Sequence, residues 1–155
     1  MGELREAWGE TVRFGLDNPD LYVILSDPRR GRDSPALASG VRALEERVHR
    51  VAAAGLLRVA EARAVALIHA AGTGAILSLL EQPVGERDPE LATTLLDAVL
   101  DRILTGEVES TTDAVPATHH TAVVTLRAVT DDLAALSAPE RALLAEWLDR
   151  VIESH

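Results

Sequence analysis

The sequence has no cysteine and no lysine. Without cysteine there is no disulfide, no thiolate zinc site and no thiol nucleophile. Without lysine there is no P-loop lysine and no Schiff-base chemistry. All 15 basic residues are arginine. Aromatic residues make up only 3% of the chain, while 47% of it is apolar, so a core must be built from Leu, Ala, Val and Ile. The Gly-x-Ser-x-Gly elbow, the zinc-binding His-Glu-x-x-His and the dinucleotide-binding Gly-x-Gly-x-x-Gly are all missing. No motif supports catalysis. The reading is of a non-enzyme without cofactor or metal.

What is present is acidic. The 155 residues carry 25 acidic against 15 basic side chains, a net charge of -10. Residues 1–60 balance, and residues 61–155 carry the whole excess. Such a chain is a poor partner for phosphate backbones. Its length suits one domain that buries roughly 70% of the extended surface. The start, Met1-Gly2-Glu3-Leu4-Arg5-Glu6, has charges where a signal peptide needs an apolar run. It also lacks the Ser or Thr of a myristoylation signal. The expected compartment is the cytoplasm. Ala64 to Leu80 is uncharged, but it contains His69, Gly72, Thr73, Gly74 and Ser78. It reads as a core helix of a protein that does not enter the membrane.

Proline follows capping residues at Asn18-Pro19, Ser34-Pro35 and Asp88-Pro89, each reading as an N-cap and first helical residue. Ser137-Ala138-Pro139-Glu140 fits a capping box. Gly15, Gly55 and Gly106 read as helix stops. Between these marks the apolar period is near 3.6 and predicts an all-α chain, with helices at about 3–15, 19–27, 35–54, 60–82, 89–105, 117–136 and 139–153. The third carries Leu37, Val41, Leu44, Val48 and Val51 on one face. The sixth carries Ala122, Leu126, Val129, Leu133 and Leu136, although Val115 to Val129 is rich in strand-favouring Thr and Val. The last carries Leu143, Leu144, Trp147, Leu148, Val151 and Ile152. Ser26 to Asp33 and Glu107 to Asp113 read as mobile loops.

The helix at 60–82 differs in kind, being apolar nearly all round. Such a helix needs cover on every side, and the chain's other helices supply about two thirds of it. The remainder calls for a second subunit, a ligand cavity, or both. Gly72 and Gly74 each cost about 1 kcal/mol relative to Ala in a helix interior. They serve close helix packing, or they leave room for a ligand or a partner helix. His69 is the strongly polar side chain in this stretch. It is either a buried imidazole satisfied by a neighbour or a polar contact in an apolar pocket. His49 is a candidate for the same space. Trp8, Phe14 and Tyr22 fall in the first two helices, as core or as a pocket wall, and Trp147 is the remaining aromatic. Glu46-x-x-His49 has the spacing of a di-iron bundle. Those sites need a second such pair, and His69 has Ala66 three residues before it. Glu46 therefore reads as part of a charged face. His119 and His120 point about 100° apart on a helix and chelate poorly.

Trp8 to Phe14, followed by Gly15-Leu16-Asp17-Asn18-Pro19-Asp20-Leu21-Tyr22, resembles the TetR/AcrR family of transcriptional regulators. There an aromatic-bearing helix runs into an Asn/His-Pro-x-Leu-Tyr helix start. The long helix ending Ala53-Ala54-Gly55-Leu56-Leu57-Arg58 is similar too, as are the apolar helix Ala64 to Leu80, the Asp88–Leu104 helix and the tail Leu136 to Leu148. The resemblance implies a TetR-like C-terminal helical bundle of about seven helices, dimerising through a four-helix bundle. It implies a core at 1–106 that binds ligand and dimerises, with a helical extension at 107–155 packed on it. It places a small, largely apolar effector among Trp8, Phe14, Tyr22, Leu44, Val48, His69 and Thr73. It places the homodimer contact at Ile76, Leu80, Leu91, Leu95, Val99 and Arg102. The family's N-terminal helix-turn-helix has no counterpart here, so operator DNA would be reached only through that absent part. The expected function is then the sensing and dimerisation domain of a repressor. Two other readings stay open. One is a stand-alone helical protein that binds a small molecule. The other is a small bundle enzyme or metal protein using Glu46, His49 and His69.

Overall fold

The structure is a computed structural model that describes residues 2–27, 29, 34–105 and 115–154. The predicted stop at Gly106, the loop at 107–113 and most of the loop at 26–33 lie outside the described residues. The fold is all-α. Seven helices follow in order: α1 Gly2–Asp17, α2 Pro19–Ser26, α3 Pro35–Ala53, α4 Glu61–Leu80, α5 Leu91–Ile103, α6 Val115–Val129 and α7 Ala138–Glu153. Short 3-10 turns occupy Val84–Glu86 and Thr130–Asp132. No strand occurs among the described residues, although Leu57 and Leu104 form an isolated antiparallel bridge.

Several ends form as their residues dictate. Gly55, at φ 74°, closes α3. Its N–H donates to the Ala52 carbonyl at 2.9 Å, and the Leu56 N–H donates to Val51 at 3.1 Å. That pair of bonds is a Schellman cap, whose left-handed residue is cheapest as glycine. At the start of α7 the Ser137 N–H and hydroxyl both donate to the Glu140 carboxylate, at 2.7 and 2.6 Å. Other ends depart from expectation. Asn18 does not cap α2 with its side chain. Its backbone N–H and side-chain amide both donate to the Phe14 carbonyl at 3.0 Å, so it finishes α1 instead. Asp88 takes the Glu90 N–H at 2.9 Å in a local turn, which delays α5 to Leu91.

The described residues form two compact units. One holds Met1–Arg47 with Val65–Arg102, and the other holds Val48–Ala64 with Ile103–His155. The division does not follow a single cut at 106, because the end of α3 and its connection to α4 group with the C-terminal segment.

In the first unit α1 lies against α4. Gly15 is not a stop. It is buried inside α1, and a Cβ built on it would sit 2.6 Å from Ile76 Cγ2. A Cβ on Gly72 would meet the Trp8 ring at 3.2 Å, so this glycine serves close packing, while Gly74 has nothing within 4 Å. The large side chains of α4 go inward: Ile68, Ile76 and Leu79 are buried with Ala64 and Ala75. Ala62, Ala66, Ala70, Gly74 and Ser78 are exposed as one i, i+4 stripe. Only 33% of the apolar stretch is buried, less than the two thirds expected. The reason is side-chain size. The outward residues count as apolar by type but carry little area, so leaving them in water costs little. By length and composition alone α4 could cross a membrane.

In the second unit the connection Leu56–Arg58 pairs with the end of α5. The Arg58 N–H donates to Ile103 at 2.9 Å and the Thr105 N–H to Leu56 at 3.0 Å. Helices α6 and α7 pack together, with Arg127 Nε donating to Asp149 Oδ1 at 2.8 Å. The stripe predicted for the sixth helix is not the buried one. Val124 and Ala128 are buried, and Leu126 is 40% exposed. The helix ends at Val129, so Leu133 and Leu136 belong to the following turn and out of register. On α7, Leu148 is buried while Leu143, Trp147 and Val151 stay exposed.

Two expectations follow. Gly15→Ala adds a methyl where fully buried Ile76 has no room to yield. Overpacking costs about 1–3 kcal/mol and outweighs the gain of about 1 kcal/mol in helix propensity. Gly9→Ala on the same helix meets nothing within 4 Å and gains stability. Urea unfolding of the two variants should therefore give opposite signs. At Ser137, hydrogen bonds from the hydroxyl and then the backbone N–H hold the Glu140 carboxyl below the usual carboxylate range. A lowered folded-state value stabilises above the unfolded value, and the contribution is lost as pH falls through the folded one. Ser137→Ala should move the Glu140 titration, followed by carboxyl-carbon NMR, upward. The stability gap between parent and variant should narrow as the solution is acidified.

Candidate functional site

Four helices of the first unit line an open cavity of about 710 Å³. That is the size range of sites for small organic ligands. Helix α1 contributes Leu4, Ala7, Trp8, Glu10, Thr11 and Phe14. Helix α2 and its end contribute Tyr22, Leu25, Ser26 and Asp27. Helix α3 contributes Ala36, Leu37, Gly40, Val41, Leu44 and Arg47, and α4 contributes Ile68, His69, Gly72 and Thr73. The hollow has a local cause. Ala7, Ala36 and Gly40 put little bulk into the space between the helices. Helix α2 is short, with no buried residue, and covers the space loosely. Leu21, Val23 and Ile24 on it are about half exposed, as is Phe14.

Six of the seven residues suggested for the ligand line this cavity: Trp8, Phe14, Tyr22, Leu44, His69 and Thr73. Val48 does not. It is 1% exposed and belongs to the second unit. The apolar face of α3 continues one turn past the cavity into packed core, and periodicity alone cannot mark where lining ends. His69 is exposed at the cavity wall, not buried in the core. His49 lies apart, with Nδ1 3.3 Å from the Glu61 carboxylate. Glu46 is exposed, and among the described residues no three His, Asp or Glu side chains gather as a metal site would require.

Sequence reasoning missed most of the remaining wall, Leu4, Gly40 and Arg47 among it. The signal for Leu4 was present, since Leu4, Ala7, Trp8, Thr11 and Phe14 repeat at helical spacing. Gly40 sits inside α3 with nothing within 4 Å of a built Cβ, a helix-weakening residue without a packing reason. Arg47 was hidden among the charges of the Glu45–Arg50 run.

Several polar groups stand in the wall, and three of them are engaged locally. Thr11 Oγ1 donates to Ala7 and Arg47 Nη1 to Ala43, each at 2.8 Å. Asp27 accepts the Arg29 N–H at 2.8 Å. Trp8 is different. It is 8% exposed, and its indole N–H is buried without an acceptor. An orphan donor of this kind costs about 1–3 kcal/mol.

The residues suggested for a dimer contact divide similarly. Ile76 is fully buried against α1 and offers no surface to a second chain, which corrects its assignment. It was assigned by position along α4, and the inward side of that helix was not separable from the outward side. Leu80, Leu91, Leu95 and Val99 are half-buried, and Arg102 is exposed. The outward stripe Ala62, Ala66, Ala70, Gly74 and Ser78 was not singled out, although its four-residue period stands in the sequence.

The two tryptophans report separately on this geometry. In a Trp147→Phe variant, emission comes from buried Trp8 and should be blue-shifted and poorly quenched by acrylamide. In Trp8→Phe, emission comes from Trp147, which is 53% exposed, and should be red-shifted and readily quenched.

No family model matches the chain, and no curated protein and no solved structure matches it significantly.

Proposed function

We propose that this chain is the effector-sensing and dimerisation domain of a TetR-like transcriptional repressor. The observation that carries the reading is the cavity of about 710 Å³, walled mainly by apolar side chains of α1 to α4. A small, largely apolar ligand fits such a site, because burying its surface supplies most of the binding free energy. The role proposed is binding, not catalysis. Dimerisation would use α4 and α5 of two copies as a four-helix bundle. The stripe Ala62–Ala66–Ala70–Gly74 supports it: small residues at this spacing let a second helix approach closely, and the stripe is exposed in the single chain. Operator DNA would be reached through a helix-turn-helix domain outside this sequence. Ligand would act by binding one spacing of the two DNA-reading domains more tightly than another, and that difference in affinity is the whole coupling.

A second reading is favoured by one observation. The cavity is lined from within a single unit, so uptake of a ligand needs neither a second copy nor DNA. A stand-alone helical carrier of small molecules would look the same. A reading frame that encodes a basic helix-turn-helix immediately upstream would decide for the repressor.

The neutral dye N-phenyl-1-naphthylamine tests the cavity. Its fluorescence should rise saturably with one site per chain, and Thr73→Trp, which fills the space from α4, should weaken binding at least tenfold. Sedimentation equilibrium at micromolar concentration tests the dimer. The parent chain should be dimeric, and Ala70→Glu should be monomeric with unchanged helix content. Absence of saturable dye binding sinks the sensing role, and a monomeric parent sinks dimerisation.

A further inference from the structure

Among the described residues the cavity wall includes one arginine. Arg47 stands half-buried in its wall. Among the described residues its guanidinium makes one hydrogen bond, to the Ala43 carbonyl of its own helix, and no ion pair. Arginine has five donors and no acceptor, so most of its capacity is unassigned. Two acidic side chains also line the cavity. Asp27 already accepts a backbone N–H, and Glu10 is exposed. Trp8 adds a buried donor without an acceptor, sealed from solvent.

We propose that the ligand is an amphipathic organic anion, a carboxylate on an apolar body, with its carboxylate paired to Arg47 and its hydrocarbon laid along α1, α3 and α4. This deepens the sensing role proposed above and rests on it. The planar guanidinium matches a carboxylate with two parallel hydrogen bonds. A neutral apolar occupant would strip water from the arginine and return nothing. A protonated amine would set like charges together. The net charge of -10 opposes the approach of any anion. Exposed charges are, however, largely screened beyond about 8 Å at physiological ionic strength, whereas a contact pair inside a cavity is not. The acidic surface therefore slows encounter more than it alters the ranking of bound ligands.

Calorimetric titration of the intact chain at neutral pH with decanoate, decanol and decylamine tests this. These probes share a tail and differ in the head. Decanoate should bind about tenfold more tightly than decanol, with decylamine weakest. Arg47→Met should bring the decanoate-to-decanol ratio close to one, and Arg47→Lys should keep part of the preference. The ranking on the parent chain needs no variant and fixes the sign alone. Decanol or decylamine binding as tightly as decanoate overturns the anion assignment. So does failure of all three while the neutral dye still binds, and in both cases the cavity's role in binding survives. Failure of the dye as well removes the sensing role and this inference with it.

Discussion

The approach of α1 to α4 at Gly15 and Ile76 governs the rest of the first unit. At that crossing the Ile76 side chain sits on the α1 backbone and leaves no space for a Cβ on Gly15. About two turns earlier on α1, the Trp8 ring lies on Gly72. Two glycines on opposite helices thus fix α1 by contact with backbone instead of by interleaved side chains. The adjoining side of α1, with Ala7, Thr11 and Phe14, lines the cavity together with α3, where Ala36 and Gly40 offer little to fill the gap. A chain with four aromatic side chains has little bulk to spare, and the hollow is what remains.

Much of this was legible from residue order. The helical period located all seven helices. Gly55 marks the end of α3 because a left-handed residue is needed there, and Ser137 with Glu140 marks the start of α7 because both capping partners are present. Six residues of the cavity wall were also within reach. Hidden were the features that depend on a neighbour distant in sequence. Gly15 reads as a stop until Ile76 is seen beside it. Val48 and Leu44 share a face, and only the surrounding helices separate core from cavity. Ile76 and Leu80 lie one turn apart on α4, yet only the former is fully enclosed. The error on α6 is local. A period counted through the break at Val129 selects the wrong face, since the turn Thr130–Asp132 changes the angle between residues before and after it.

Helix α4 separates two kinds of apolar surface that composition alone treats as one. Its inward side carries Ile and Leu, whose burial contributes most of the hydrophobic stabilisation. Its outward side carries Ala, Gly and Ser, which contribute little when buried but permit close approach. The first kind holds a chain together, and the second suits an association that can be adjusted.

The small bridge between Leu57 and Leu104 bears on how the chain assembles. It ties together two segments between which all of α4 and α5 must pass, and closing a loop of that length carries an entropic penalty that local helical turns do not. Contacts of such wide sequence separation form slowly relative to helix growth. The intervening helices therefore condense before the latch fastens, and the ribosome must have released residues beyond 104 before that half of the protein reaches its final state.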